Sequence, residues 1–147
     1  LETAGFPTCF WPNAARCFCH LLNTEKVSGA SPWLDRHRKK FAGRRVAFGS
    51  YVDFLPSRAR GNSAYKKWQH RGKWTTNPVP GLFMGYKLNP GQQGNGEYLV
   101  AGLEDFVGWD LRVRASASIT LHVVRELAFG HGDELVFPLK KEYDRVN

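Results

Sequence analysis

The chain has 147 residues, of which 42% are hydrophobic and 23% are charged, so its composition excludes wholesale disorder and fits one ordinary domain or two small ones. No apolar run approaches the roughly 18 residues that a membrane-spanning helix needs, which excludes a transmembrane subunit. The net charge is +8, and residues 36–73 hold 12 basic residues and one acid, Asp53, whereas the rest of the chain is slightly acidic. Such a basic block predicts a polyanionic partner. Nucleic acid is the first candidate, and an anionic membrane surface or an acidic protein is the alternative.

Two helices are predicted at the start of the chain. Residues 8–23 show apolar side chains at helical spacing, and Pro12 suits a first helical turn. Ser31 and Pro32 read as an N-cap and a first helical position, which predicts a short second helix over residues 32–40. The first helix is strongly apolar and needs a partner to cover it. Its candidate partner-docking residues are Trp11, Ala15, Phe18 and Leu22.

After residue 43 the apolar pattern changes from helical spacing to alternation, which is typical of strands. It predicts a bent strand over residues 46–54 and further strands over residues 81–88, 97–103, 116–124 and 135–139. Residues 56–80 form a polar, basic loop of about 25 residues, a length that is uncommon unless the loop is functional or mobile. The predicted fold class is therefore α+β, with two N-terminal helices followed by a small antiparallel five-stranded barrel with a long basic loop. The predicted division is a helical segment over residues 1–42 and a barrel domain over residues 43–147.

Four pieces of sequence, in one order, resemble a known family. They are Gly5-Phe6-Pro7 with Cys9-Phe10-Trp11-Pro12 and Ala14-Ala15, then Ser31-Pro32-Trp33 with Phe41, then Arg45-Val46-Ala47-Phe48-Gly49, and then Pro80-Gly81-Leu82-Phe83-Met84-Gly85-Tyr86 followed by Tyr98-Leu99-Val100. Over about residues 1–106 the chain resembles copia-type retrotransposon integrases. The resemblance implies that the chain holds the end of a ribonuclease-H-like core, which is the helical segment, and a whole Src-homology-three-like barrel that binds nucleic acid or partner proteins. The tail after residue 110 lies outside the resemblance.

The same resemblance implies that the chain is not an enzyme. The family's two Asp and one Glu, which hold two divalent metals, belong upstream of Leu1, and two-metal phosphoryl transfer needs such convergent carboxylates. No catalytic residue, no metal site and no cofactor is therefore predicted. Cys9, Cys17 and Cys19 are expected to be reduced, small buried hydrophobes in an intracellular reducing compartment, with a nuclear or organellar location left open.

The candidate residues for binding nucleic acid or another polyanion interleave cations with tryptophans, a combination that suits phosphates and stacked bases. They are Arg38, Lys39, Lys40, Arg44, Arg45, Lys66, Lys67, Trp68, Arg71, Lys73 and Trp74.

The first hypothesis is a non-catalytic fragment or domesticated relic of an integrase that binds DNA or RNA. The alternative is an accessory structural subunit of a large assembly, such as a ribonucleoprotein or a membrane-protein complex, that docks by its apolar helix on a protein partner. Peripheral membrane association stays compatible with either hypothesis. A third hypothesis is a piece of an active transposase whose catalytic half precedes this chain.

Overall fold

The computed structural model describes residues 2–25, 29–39, 44–55, 78–89, 93–106, 119, 121–128 and 135–146. Helices and strands alternate with short single-turn 3-10 helices along these residues. In chain order the elements are the 3-10 helices Glu2–Ala4 and Thr8–Phe10, α1 (Trp11–Thr24), α2 (Pro32–His37), β1 (Tyr51–Phe54), β2 (Val79–Asn89), β3 (Gln93–Gly102), the 3-10 helix Leu103–Phe106, β4 (Leu121–Val124), β5 (Leu127–Ala128) and α3 (Lys140–Val146).

Both predicted N-terminal helices form, with small differences at their ends. Pro12 lies in the first turn of α1, and the Ser31 hydroxyl caps α2 by accepting a hydrogen bond of 3.1 Å from the Leu34 amide. The second helix ends at His37 rather than at residue 40, because Arg38 takes a left-handed conformation with φ of 55°. The α3 helix was not predicted.

The five strands form one antiparallel sheet in the order β4-β3-β2-β1-β5, so the α+β class and the five-stranded antiparallel pairing are confirmed. The predicted closure into a barrel is wrong for the described residues, where no ladder joins β4 to β5. The sheet is nevertheless curled. Its two end strands would lie about 19 Å apart in a flat sheet. Only Arg125 and Glu126 connect β4 to β5, and the three peptide units from Val124 to Leu127 span at most about 11 Å. Because 11 Å is less than 19 Å, the sheet must curl to bring its two end strands together.

Two strand predictions were misplaced. The first strand begins at Tyr51 rather than at residue 46, because the chain turns at Gly49, whose φ is 79° and whose amide donates to the Phe83 carbonyl at 2.7 Å. The fifth strand is Leu127–Ala128 rather than residues 135–139. Residues 135–139 lead into α3 instead, and Val136 accepts a single backbone hydrogen bond of 2.8 Å from the Tyr51 amide.

Apolar side chains pack on both faces of the central strands, because neighbouring residues of a strand point to opposite sides. One cluster joins the N-terminal 3-10 helices, the sheet and the C-terminal segment, and consists of Ala4, Phe6, Phe10, Leu82, Met84, Ala101, Phe106 and Leu139. The other joins α1 to the opposite face of the sheet, and consists of Cys17, Val46, Val52, Phe54, Phe83, Val100 and Val124. Both ends of the chain therefore share a core with the sheet, while a domain boundary after residue 42 stays a prediction.

Candidate binding surfaces

The α1 helix carries two apolar faces on opposite sides. Cys17, His20 and Thr24 are buried against the rest of the protein. The predicted docking residues fall on the other side. Trp11, Phe18 and Leu22 are 65%, 61% and 46% exposed, and Ala15 lies between them. An apolar stripe of this length on the outer side of a helix marks a surface that a partner can cover. We call these four residues the α1 stripe.

A groove lies beside the α1 stripe, with a volume of about 890 Å³. Trp11 and Phe18 form part of its wall from α1, while Phe48 and Phe137 contribute from the segments before β1 and before α3. The groove and the stripe together give this side of the molecule a continuous apolar character. The structure thus brings together the predicted docking residues. It adds Phe48 and Phe137, which the sequence pattern did not identify as docking residues.

Arg44 and Arg45 are exposed, and their backbone is held against the sheet by one half-buried tyrosine. The Tyr86 hydroxyl donates to the Arg44 carbonyl at 2.6 Å and accepts from the Val46 amide at 2.8 Å. Burial raises the pKa of Tyr86 to about 12, so the hydroxyl keeps the proton that it donates. The Arg45 guanidinium also donates to the Leu21 carbonyl of α1 at 3.2 Å. The two arginines therefore project from a fixed segment of backbone.

Arg38 and Lys39 are also exposed, and they follow α2 directly. The α2 helix packs near the same tyrosine, because the His20 ring lies 5.8 Å from the Trp33 ring and 4.2 Å from the Tyr86 ring, measured between centroids. Lys39 and Arg44 are five positions apart in the chain, so their Cα atoms lie at most about 18 Å apart. The remaining predicted polyanion-binding residues, Lys40, Lys66, Lys67, Trp68, Arg71, Lys73 and Trp74, lie outside the described residues.

The three cysteines differ in environment. Cys17 is buried, and burial raises the pKa of its thiol to about 11. Cys9 and Cys19 are exposed, so the interpretation as small buried hydrophobes is right for Cys17 and wrong for the other two.

Within the described ranges, no group of three His, Cys, Asp or Glu side chains is placed to hold a metal ion. Over the same part of the chain, no helix combines the length and apolarity needed to cross a bilayer.

A second cavity, of about 550 Å³, lies between α1 and the C-terminal half of β2. No local sequence pattern indicates this cavity, because its two cations, Arg16 and Lys87, lie outside the basic block and far apart in the chain. Its accessible apolar wall is formed by Leu88 and Leu99, while Met84, which also borders it, is fully buried in the core. We call this cavity the α1–β2 cleft.

Comparison of the chain with protein-family models, with curated proteins and with solved structures finds no match.

Proposed function

We propose that the chain is a non-catalytic, nucleic-acid-binding fragment or domesticated relic of a copia-type retrotransposon integrase. In this proposal the curled, open five-stranded sheet, in the place of a closed Src-homology-three-like barrel, presents a basic surface to DNA or RNA. The curl of the sheet supports this likeness, because its two end strands, although not hydrogen-bonded to each other, are only two residues apart in the chain. The 12 basic residues within residues 36–73 support a polyanionic partner.

The observation that carries the proposal is the anchoring of Arg44 and Arg45. A hydrogen-bonded tyrosine fixes the backbone from which both exposed side chains project. A fixed backbone leaves only side-chain freedom to be lost when the arginines bind phosphates, which lowers the entropic cost of association. Arg38 and Lys39, which are also exposed, add to this proposal because they follow α2, whose Trp33 packs on His20 beside Tyr86.

The test is the salt dependence of binding to labelled DNA and RNA by fluorescence anisotropy. The logarithm of the affinity is expected to fall linearly with the logarithm of the salt concentration, because each phosphate contact releases condensed counterions. Arg44→Gln and Arg45→Gln are each expected to make the slope of log affinity against log salt concentration shallower by about one. Lys141→Gln, which removes one exposed charge from α3, is the matched control and should leave it unchanged. An affinity of the unmodified chain that does not change with salt concentration would contradict the proposal.

The second candidate function is that of an accessory structural subunit of a large assembly, and the α1 stripe favours it. Three large apolar side chains on the outer side of a helix expose apolar surface, and its burial by a protein partner would contribute favourable free energy to binding. Measurement of the native mass at several concentrations tests this candidate. A chain that stays a soluble monomer and keeps no partner through purification would remove it. A native particle heavier than 16.7 kDa that survives nuclease, and that dissociates in the Trp11→Ser/Phe18→Ser variant, would support it.

A further inference from the structure

The α1–β2 cleft combines charge and apolar surface in a way that neither the α1 stripe nor the arginine pair does. Arg16 and Lys87 lie on its walls, and Asn13 adds an amide. No acidic side chain is among the described residues that line it. Two cations beside an apolar wall suit a ligand that has an anionic group and a flat apolar body.

One glycine of β2, Gly85, lines the space between helix and strand, and its φ of 132° is a backbone conformation that residues with a side chain rarely adopt. Gly85 lies opposite α1, and a Cβ built on it would meet only the Cys17 side chain, at 3.8 Å. The pairing of β2 with β3 shifts register between Phe83 and Gly85, so the strand is irregular where it passes the helix. The cleft volume of about 550 Å³ falls within the roughly 300–1,000 Å³ that small-ligand sites occupy.

Both cations remain accessible to a ligand. Arg16 is exposed on α1. Lys87 is 52% exposed and lies 3.8 Å from the Glu97 carboxylate, which also lies 3.7 Å from Arg125. A surface ion pair of this length and exposure contributes little, so a phosphate can compete for Lys87. The Arg125 guanidinium offsets part of the Glu97 charge on that side of the cleft.

We propose that the α1–β2 cleft accepts one unpaired nucleotide of a single-stranded nucleic acid, with its base against Leu88 and Leu99 and its phosphate between Arg16 and Lys87. The inference rests on the proposed function, since it names the nucleic acid and a place where it binds. A base that is stacked and paired in a duplex has no free face to offer, so only an unpaired base enters such a cleft.

The experiment compares a labelled oligothymidine strand with a duplex of the same length, by anisotropy at one fixed salt concentration. The strand is expected to bind about tenfold more tightly, the gain typical of burying one base. Arg16→Gln and Lys87→Gln should each weaken strand binding several-fold and leave duplex binding unchanged. Lys141→Gln is the charge-matched control for both. Asn13→Trp, which fills the cleft from the helix side, should abolish the preference for the strand.

A second measurement separates a nucleotide within a strand from a free one. Thymidine monophosphate is titrated to millimolar concentration while the methyl signals of Leu88 and Leu99 are followed by NMR. Weak shifts at these methyls, with binding far weaker than that of the strand, support the proposal. Monophosphate binding as tight as that of the strand would overturn it in favour of a free nucleotide.

The outcomes distinguish this inference from the proposed function. If the chain binds neither strand nor duplex, both fall. If binding depends steeply on salt but does not prefer the strand, and if Arg16→Gln and Lys87→Gln behave like Lys141→Gln, the proposed function stands and the cleft is overturned as a nucleotide site.

Discussion

Gly81 lies where β2 crosses the buried ring of Phe54, and there is no room for a side chain. A Cβ at this position would lie 2.6 Å from the Phe54 ring and 2.8 Å from the Ala101 carbonyl oxygen. The backbone carbonyl cannot rotate away, so we expect Gly81→Ala to lower the free energy of unfolding by about 1–3 kcal/mol. The measurement is the midpoint and the slope of the urea unfolding curve.

The matched control for this substitution is Gly102, which pairs with Gly81 across the β2–β3 ladder. A Cβ on Gly102 would meet the Asp105 carboxylate at 3.7 Å, an ordinary van der Waals distance. Gly102→Ala should therefore unfold at nearly the same urea concentration as the unmodified chain. Equal losses in the two variants would mean that close approach to Phe54 is not the cause.

The cysteines give a second prediction at the scale of single residues. Cys9 and Cys19 are exposed, whereas Cys17 is buried with its thiol pKa raised to about 11. The thiolate is the reactive form, so Cys17 is protected both by burial and by protonation. Alkylation at neutral pH should label Cys9 and Cys19 rapidly in the folded protein, and Cys17 only after urea is added. Peptide mass spectrometry locates the labels, and rapid labelling of Cys17 without denaturant would contradict the structure.

At the scale of elements, Tyr86 joins the segment before β1 to the middle of the sheet. Tyr86→Phe keeps the ring but removes both hydrogen bonds of the hydroxyl, to the Arg44 carbonyl and from the Val46 amide. Val46 is buried, so its amide would lose a partner out of reach of water, at a cost of about 1–3 kcal/mol. Hydrogen exchange at the Val46 amide should accelerate.

Tyr51→Phe is the control, because it removes the same atom from a tyrosine whose hydroxyl donates to Asp53 at 2.8 Å in a half-buried position. Tyr51→Phe should leave the hydrogen-exchange rate of the Val46 amide nearly unchanged. If Tyr86→Phe also leaves that amide protected, the tyrosine does not hold the arginine segment in place, and the argument for an anchored basic surface weakens.

The sequence was informative where an element was long enough to show a period. The strand predicted over residues 81–88 lies within the central strand Val79–Asn89, and the Ser31-Pro32 pair identified the start of α2. The two residues of β5 cannot show any period, so the apolar run at residues 135–139 was assigned the strand instead. The α3 helix was missed for a similar reason. It has seven residues and is mostly charged, and Tyr143 and Val146 are too few apolar positions to show a helical face.

The candidate site was predictable only in part. The composition located the basic block, and helical spacing located the α1 stripe, since both are properties of neighbouring residues. The link between Tyr86 and Arg44 spans 42 positions, and the α1–β2 cleft joins Arg16 to Lys87 across an even longer separation. Contacts of that kind depend on how the sheet curls and which face of α1 it buries, and no local pattern encodes either.

At the scale of the whole molecule, two buried histidines make stability depend on pH. His20 lies where α1, α2 and β2 meet, and His122 lies on the buried side of β4 with its ring centroid 5.3 Å from that of Phe54. Burial lowers the pKa of both imidazoles from the usual 6.5, and for His122 the charge of Asp105 opposes part of this effect. Both side chains are therefore neutral in the folded protein at neutral pH.

The sign follows from proton uptake. As the pH falls below 6.5, the unfolded chain protonates these histidines before the folded chain does. The free energy of unfolding should therefore be constant above neutral pH, as far as these groups decide it. It should decrease as the pH falls through 6.5 and through the lower pKa values of the folded state. Urea midpoints taken between about pH 5.5 and pH 8 measure this directly.

Imidazole signals in NMR spectra provide the independent check, because they report each histidine in the folded state. His20 and His122 should remain neutral at a pH where an ordinary histidine is half protonated. Midpoints that rise toward acid, or imidazoles of His20 and His122 that titrate at the usual value, would show that these rings are more open to water than the packing of α1 and β4 requires. Agreement of both measurements would mean that α1 and β4 stay packed over the same face of the sheet, since His20 contacts Tyr86 and His122 contacts Phe54 on that face.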